Sequence, residues 1–415
     1  MTTLRINQRI IDDILVLLMF CISGNPAFNS MPGLNKVVNI VMLMIILAAS
    51  GLKINAKALK ESSCWMIFLS IIFLAQYLML GEITVFGSLN FATKMLCAIL
   101  LASYIGARLP ATAIRVMSGI CAISLVFYLI NLTGVRFTSP LHLDTKTEAL
   151  IVYTQSWDDP YHQSIFRNSG MFWEPGAFAG YIIATLLLFI DRPKILWNRF
   201  RWQTLLLSVA LLTTTSTTGY ITFAVLLLLF ILRWNSKGKR KVYTYIAASL
   251  LVIIAVVAFF NVDFLGQKIQ RELQMTQRQT DEDVNVSRSG SILFDLQYIV
   301  THPLFGNGLS DNTRFRFHIG TYDKEDLDGF GNGFSGCIAS MGILFMLAFL
   351  ISIGLNKTLT AWWMVILVVV MLLQGEYFLN YPWFMMFPFI QYGSSRRPSS
   401  PKRKIRFIWN NKRGK

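Results

Sequence analysis

The stretch RNSGMFWEPGAFAGYI, residues 167–182, places a guanidinium, an indole and a carboxylate directly ahead of Pro175-Gly176 and an apolar run that continues to Ile190. Arg167, Trp173 and Glu174 are residue types that hold an anion, sit at a headgroup boundary and exchange a proton. Pro175 suits the first turn of a helix, because its missing N–H would have no partner there anyway. A plainer reading makes Trp173 a membrane-belt residue and Glu174 a balance for the helix dipole. A second stretch, SRSGSILFDLQYIVTHPLFGNGL (287–309), predicts a helix capped by Ser289 or Ser291. Ile292, Leu293, Leu296, Ile299 and Val300 form its apolar stripe. His302-Pro303 ends it, and Gly306 and Gly308 build a turn. Arg288 then stands at the helix N-terminus, where unpaired N–H groups already favour an anion such as phosphate. The alternative is a pair between Arg288 and Asp283.

In TRFRFHIG, Arg314 and Arg316 alternate with Phe315 and Phe317, as on a strand or extended wall, and His318 follows. These arginines line a sugar or phosphate groove, or pair with Asp323, Asp326 or Asp328. His302 and His318 are candidate proton carriers that also read as ordinary loop and helix-end residues. Asp281-Glu282-Asp283 and Asp326-Leu327-Asp328 have an Asp-x-Asp spacing, but such triplets arise easily in a polar loop, and no metal site is assigned to them. The chain contains no Walker motif, HExxH or paired CxxC, and no cofactor is called for.

The elements that must position these residues are membrane helices. Of 415 residues, 54% are hydrophobic and 14% charged, where a soluble chain carries about 25% charged. Apolar segments at 11–28, 34–52, 63–80, 89–107, 114–132, 172–190, 204–216, 219–232, 243–260, 333–354, 360–378 and 381–393 predict an all-α integral membrane protein with about 12 spans of hydrocarbon-crossing length. The polar TTTSTTG (213–219) between two apolar runs, with basic residues on both outer flanks, predicts a hairpin rather than one long helix. With both termini cytoplasmic, 26 of the 38 basic residues fall on the cytoplasmic side. The net charge of +16 is therefore mainly a topology signal and not a nucleic-acid surface.

Residues 1–395 form the membrane domain and 396–415 a basic cytoplasmic tail able to touch anionic lipid. Two large outer loops, about 133–171 and 261–332, hold all four histidines and enough aromatic and turn pattern to predict order with short helices. Cys21, Cys64, Cys97, Cys121 and Cys337 lie in or at the edge of apolar spans and read as small core residues. Lys94, Glu376 and Glu174 are the few charges in spans. All map to the outer third, where snorkelling or mutual pairing would satisfy them rather than an ion pathway.

RNSGMFWEPGAFAGYI, LLTTTSTTGYITF and RSGSILFDLQYIVTHPLFGNGL, in that order and with this topology, resemble the O-antigen polymerase (Wzy) family within the wider O-antigen ligase/polymerase superfamily. The resemblance implies an enzyme of the bacterial inner membrane with its site on the periplasmic face. Its substrates would be oligosaccharide repeat units on undecaprenyl pyrophosphate, as donor and as acceptor, and a chain-length regulator would be a further partner. It implies a pyrophosphate leaving group and no nucleotide or metal. Arg167 and Arg288 would face the pyrophosphate, with Arg314, Arg316, His318, Trp173 and Asn332 lining the substrate. Glu174 would take the acceptor's proton, with His302 as a further catalytic candidate. Ligases of the superfamily carry His-Asn before the helix after the large loop. Here that place reads Gly331-Asn332, which favours polymerase over ligase and removes one usual histidine. A lipid-linked sugar flippase would need more charge through the bundle interior.

Overall fold

The computed structural model describes residues 7–29, 33–135, 137, 147–156, 166–234, 288–317 and 332–392. The described residues are mostly helical, in the order α1 (Gln8–Gly24), α2 (Pro26–Asn29), α3 (Leu34–Ala49), α4 (Ala56–Leu80), α5 (Val85–Ile105) and α6 (Leu109–Leu132). Strands β1 (Thr147–Ala149) and β2 (Thr154–Ser156) form a small antiparallel hairpin. Then come α7 (Pro175–Leu187), α8 (Pro193–Arg199), α9 (Arg201–Leu212) and α10 (Thr217–Arg233). The last group is α11 (Arg288–Thr301), α12 (Asp311–Arg314), α13 (Gly333–Gly354), α14 (Trp362–Leu373) and α15 (Pro382–Met385). Ala56–Leu80, the stretch Val85–Leu132 and Gly333–Gly354 are long and apolar enough to cross a membrane, and five shorter apolar helices accompany them. This is the architecture of an all-α membrane protein.

The helices begin and end where local chemistry dictates. Asn7 and Asn55 cap α1 and α4 by accepting from Arg9 N and Ala58 N. Pro175 opens α7 in its first turn, as its missing donor predicts. The 204–232 run is two helices. Its bend at 213–216 includes Thr215 with φ 48°. Both outer ends return to the same place: α8 and α9 follow Asp191 directly, and Arg233 at the end of α10 pairs with Asp191 at 3.0 Å. The hairpin reading therefore holds.

The bundle has two chemically different ends. At one, Asp12 binds Arg108 (2.9 Å), Asp13 binds Arg115 (2.5 Å) and Asp191 binds Arg233. At the other, Asn25 after α1 donates to Met171 O (3.0 Å) beside the start of α7, and Tyr181 donates to Ser23 O (2.6 Å). Phe20, Phe172, Phe178, Tyr181, Trp383 and Phe384 pack the core beneath that second end. Cys97, Cys121 and Cys337 are buried as small core residues, whereas Cys64 is exposed on α4.

One predicted span is corrected. The run at 381–393 is not a continuous helix but a chain of short turns, Phe378–Asn380, Pro382–Met385 and Phe387–Phe389. Pro382 and Pro388 break it, and nearly all of it is buried against α1, α5 and α13. Irregular backbone at membrane depth is tolerated when protein surrounds it. Asn356 helps by donating to Pro388 O and Ile390 O at 3.0 and 2.9 Å. The expected span at 243–260 lies outside the described residues.

Candidate functional site

The bend between α9 and α10 fixes Arg167. Its Nε donates to Thr214 O (3.2 Å) and Thr215 Oγ1 (3.0 Å), and Nη2 reaches Thr215 O (3.5 Å). Neighbouring Asn168 ties the same bend through its N–H to Thr213 O (3.0 Å) and its amide to Thr213 Oγ1 (2.9 Å). Arg167 is thus a cation at the C-terminal end of α9, where the last carbonyls lack helical partners and the dipole favours positive charge. TTTSTTG is needed here because Thr hydroxyls and a bent backbone supply the acceptors. Ser216 then restarts the chain as the cap of α10, accepting from Gly219 N (3.2 Å).

Seven residues on, Trp173 is half-buried. Its ring stacks on Tyr381 (centroids 4.8 Å, planes at 28°), and its Nε1 donates to Glu376 Oε2 at 3.3 Å. A belt residue alone would not need a carboxylate partner. Glu174 occupies the N-cap position of α7 but makes no side-chain capping bond. Its carboxylate folds over Gly176 instead, where an added Cβ would lie 2.5 Å from Oε1. Alongside runs a cleft lined by Gly176, Ser216, Thr218, Gly375, Glu376 and Phe378. Lys94, buried on α5, donates to Asn380 Oδ1 (3.1 Å) and lies 5.9 Å from the Tyr381 ring centre. The three charges noted in the spans therefore converge around Trp173 and Tyr381, with an amide rather than a carboxylate taking the lysine.

A second polar cluster is built by α11, α12 and α13. Asp295, 1% exposed, accepts from Arg314 and from Ser335 Oγ (2.5 Å). Burial raises the Asp295 carboxyl above its ordinary value, while the Arg314 charge pulls the other way. Arg314, 7% exposed, also donates from Nε to Ser340 Oγ (3.2 Å) and lies over the Tyr298 and Phe315 rings, at 5.0 and 4.9 Å. Asn332 caps α13 by accepting from Phe334 N and Ser335 N, and its amide donates to Gln374 Oε1 (3.0 Å). Gln374 stands two residues before Glu376, so Asn332 links the two clusters.

The HPLFGNG turn is inserted into a break in α13. Asn307 N donates to Ala339 O (2.8 Å), Gly308 N to Ser340 O (3.0 Å) and Ile343 N to Pro303 O (2.9 Å). The break is at Gly342, φ 82°, where a Cβ would sit 2.1 Å from Leu304 O. Gly306, φ 74°, meets Ser340 O at 2.4 Å in the same way. The loop thus supplies partners to carbonyls that a kink would otherwise orphan. His302 ends α11 with Nδ1 3.1 Å from Asn307 Oδ1, a contact made when Nδ1 carries the proton.

Four expectations need correction. Of the stripe Ile292, Leu293, Leu296, Ile299 and Val300 only Ile299 packs inward, and the rest is not the packed face of α11: Leu293 and Val300 are 55% and 76% exposed. Ser291, Phe294, Asp295 and Tyr298 are buried instead, because the Arg314 pair and the aromatic contacts lie on that side. Ser289 and Ser291 do not cap the helix, which already begins at Arg288. Arg314 and Arg316 are not on a strand: α12 ends at Arg314, with Phe315 N bonded to Asp311 O (2.9 Å), so Arg314 turns inward and Arg316 outward over Phe317. Arg314 takes Asp295 as its partner rather than one of the aspartates at 323, 326 and 328. The side chain of Arg288, all of His318 and Gly331, and both acidic triplets lie outside the described residues. Asp295, Ser335, Gln374 and Asn307 escaped the sequence reading, although Ser291, Asp295 and Tyr298 are spaced along one helical face and mark it as a second, polar side.

The site is a set of polar helix ends gathered at one end of a membrane helix bundle. Residues 202–350 match the family model described as O-Antigen ligase. The match supports the O-antigen ligase/polymerase superfamily and does not separate ligase from polymerase. It spans α9 through most of α13, hence the 213–216 bend, Arg288, His302, Arg314, Arg316, His318 and Asn332, but not Arg167, Trp173, Glu174 or Glu376. No curated protein matches the chain.

Proposed function

We propose that the protein polymerises lipid-linked oligosaccharide repeat units at the periplasmic face of the bacterial inner membrane, with both termini cytoplasmic. The growing glycan leaves undecaprenyl pyrophosphate and joins the acceptor unit's terminal hydroxyl. In that step a glycosidic C–O bond forms, the bond from the anomeric carbon to pyrophosphate breaks, and the hydroxyl proton passes to Glu174. The observation that carries this reading is the half-buried Glu174. It is held beside Gly176 next to the Trp173–Glu376 pair and is not spent on capping its helix. A carboxylate within reach of a hydroxyl serves as general base. Arg167 stands seven residues away on the segment that enters the same helix, and Arg288 heads α11. We assign both the role of offsetting charge on the departing pyrophosphate. Arg316, His318, Trp173 and Asn332 belong to the same proposal as substrate-side residues, and His302 as a secondary proton carrier, whereas Arg314, buried against Asp295, braces the substrate side from within.

Transfer of glycan to a lipid A-core acceptor is the alternative, and the non-histidine Gly331-Asn332 argues against it. The lipopolysaccharide ladder of a deletion strain decides. A polymerase leaves one repeat unit on the core, a ligase or flippase leaves none, and a regulator alters only the length distribution.

A further inference from the structure

The opposite end of the bundle holds a cavity that this reaction does not use. It opens between the end of α3, the start of α4 and the end of α5, with a volume of about 180 Å³. One wall is apolar, from Ile46, Leu47 and Leu100. The rest carries Ser50, Lys53, Asn55, Ser103 and Tyr104. No carboxylate lines it. On the neighbouring helices Glu61 pairs with Lys57 (3.5 Å) and Asp12 with Arg108 (2.9 Å).

The hydrogen-bond directions leave this wall a donor surface. Gln8 Nε2 donates to Tyr104 Oη (2.8 Å), so the Tyr104 hydroxyl proton remains to be given. Asn55 Nδ2 donates to Ser103 Oγ (2.7 Å), leaving the Ser103 proton likewise. Lys53 is exposed and has no ion-pair partner among the described residues. An ammonium and two hydroxyl donors suit a phosphate oxygen, while Ser50 spends its own proton on Leu47 O (2.7 Å).

The surroundings say what carries that phosphate. The turn joining two apolar helices exposes Leu52 (76%) and Ile54 (39%) beside Lys53. Val41, Met44 and Ile45 of α3 are also exposed below it. A continuous apolar face ending in a turn that carries a lysine suits the headgroup level of a bilayer. We propose that this cavity binds the phosphate headgroup of an anionic phospholipid, with its acyl chains lying along the exposed apolar face of α3. The site is independent of the polymerase reading.

The test uses the full-length protein carrying Ser50→Cys, reconstituted into vesicles of phosphatidylcholine alone or with phosphatidylglycerol. Maleimide labelling of the introduced thiol is followed on its own peptide, apart from the native cysteines. Phosphatidylglycerol should slow labelling, and Lys53→Ala should reverse about fivefold of that protection, the scale of one lysine at an anionic surface. Lys53→Arg should keep it. Equal rates in the two lipids would overturn the proposal. So would protection that survives Lys53→Ala, which would reflect only the surface potential. Protection by millimolar inorganic phosphate in phosphatidylcholine vesicles would make this a soluble-anion site and overturn the lipid assignment.

Discussion

Two polar clusters occupy the same end of this bundle and use their charges in opposite ways. Around Asp295, every charge is turned inward. Arg314 is sandwiched between rings, bonded to a carboxylate and a serine, and almost wholly buried. Around Glu174, Arg167, Glu174 and Glu376 sit at or beside helix ends and stay half-buried, only Lys94 being buried within its helix, and Glu174 leaves its capping role unfilled. A buried pair contributes shape and register at a desolvation cost, so the first cluster reads as a brace. A carboxylate that retains access to solvent, next to a cleft and an oriented indole, is what a transfer reaction can use. The brace supports the site directly, since Asn332 and Gln374 join the cap of α13 to the Glu376 segment.

The largest effect expected is on the brace. Asp295→Ala strands a buried guanidinium and should cost about 3–5 kcal/mol, enough to prevent accumulation of folded protein. The double variant Asp295→Leu with Arg314→Met should restore a folded protein, measured by thermal unfolding in detergent, and should still polymerise. A folded but inactive double variant would move Arg314 from the brace to the substrate groove. Next is Gly342→Ala, which adds a methyl against Leu304 O at a positive φ. It should lower stability by about 3 kcal/mol through strain and overpacking, seen as a lower unfolding temperature.

Trp173→Phe sharpens the other side of the contrast. It keeps stacking on Tyr381 but removes the donor to Glu376. Stability should fall by about 1 kcal/mol and transfer should slow, because Glu376 loses its orientation. Unchanged transfer by this variant would show that the Trp173–Glu376 bond is not part of the site. The smallest change is expected for Arg316→Ala. Its guanidinium is exposed over Phe317, so the unfolding free energy should shift by no more than about 0.5 kcal/mol. A loss of transfer at unchanged stability would then assign Arg316 to substrate.

The sequence made the backbone of both clusters legible and their partners illegible. Pro175, the TTTSTTG bend and the His-Pro end of α11 are local signals, and each element lies where its own residues put it. Trp173 and Glu376 are 203 positions apart, and no periodicity joins them. Asp295 sat unnoticed because its helix shows a conspicuous apolar stripe. Hydrophobicity marks what avoids water, and in a membrane protein the stripe is free to face outward while polar residues brace the inside. The same limit explains 381–393. Its apolar run registers burial, but continuity of the helix depends on Pro382 and Pro388, which hydropathy does not weigh.

The central claim is that the half-buried carboxylate, not the buried pair, carries the chemistry. Purified protein with lipid-linked repeat units tests it through Glu174→Gln, which keeps size and hydrogen bonding but cannot take a proton. The variant should bind lipid-linked donor nearly as well as the parent and transfer glycan at least about 100-fold more slowly, the lower scale for a lost general base. Polymer formed at more than about a tenth of the parent rate is what a dipole-balancing glutamate predicts, and that result would contradict the account.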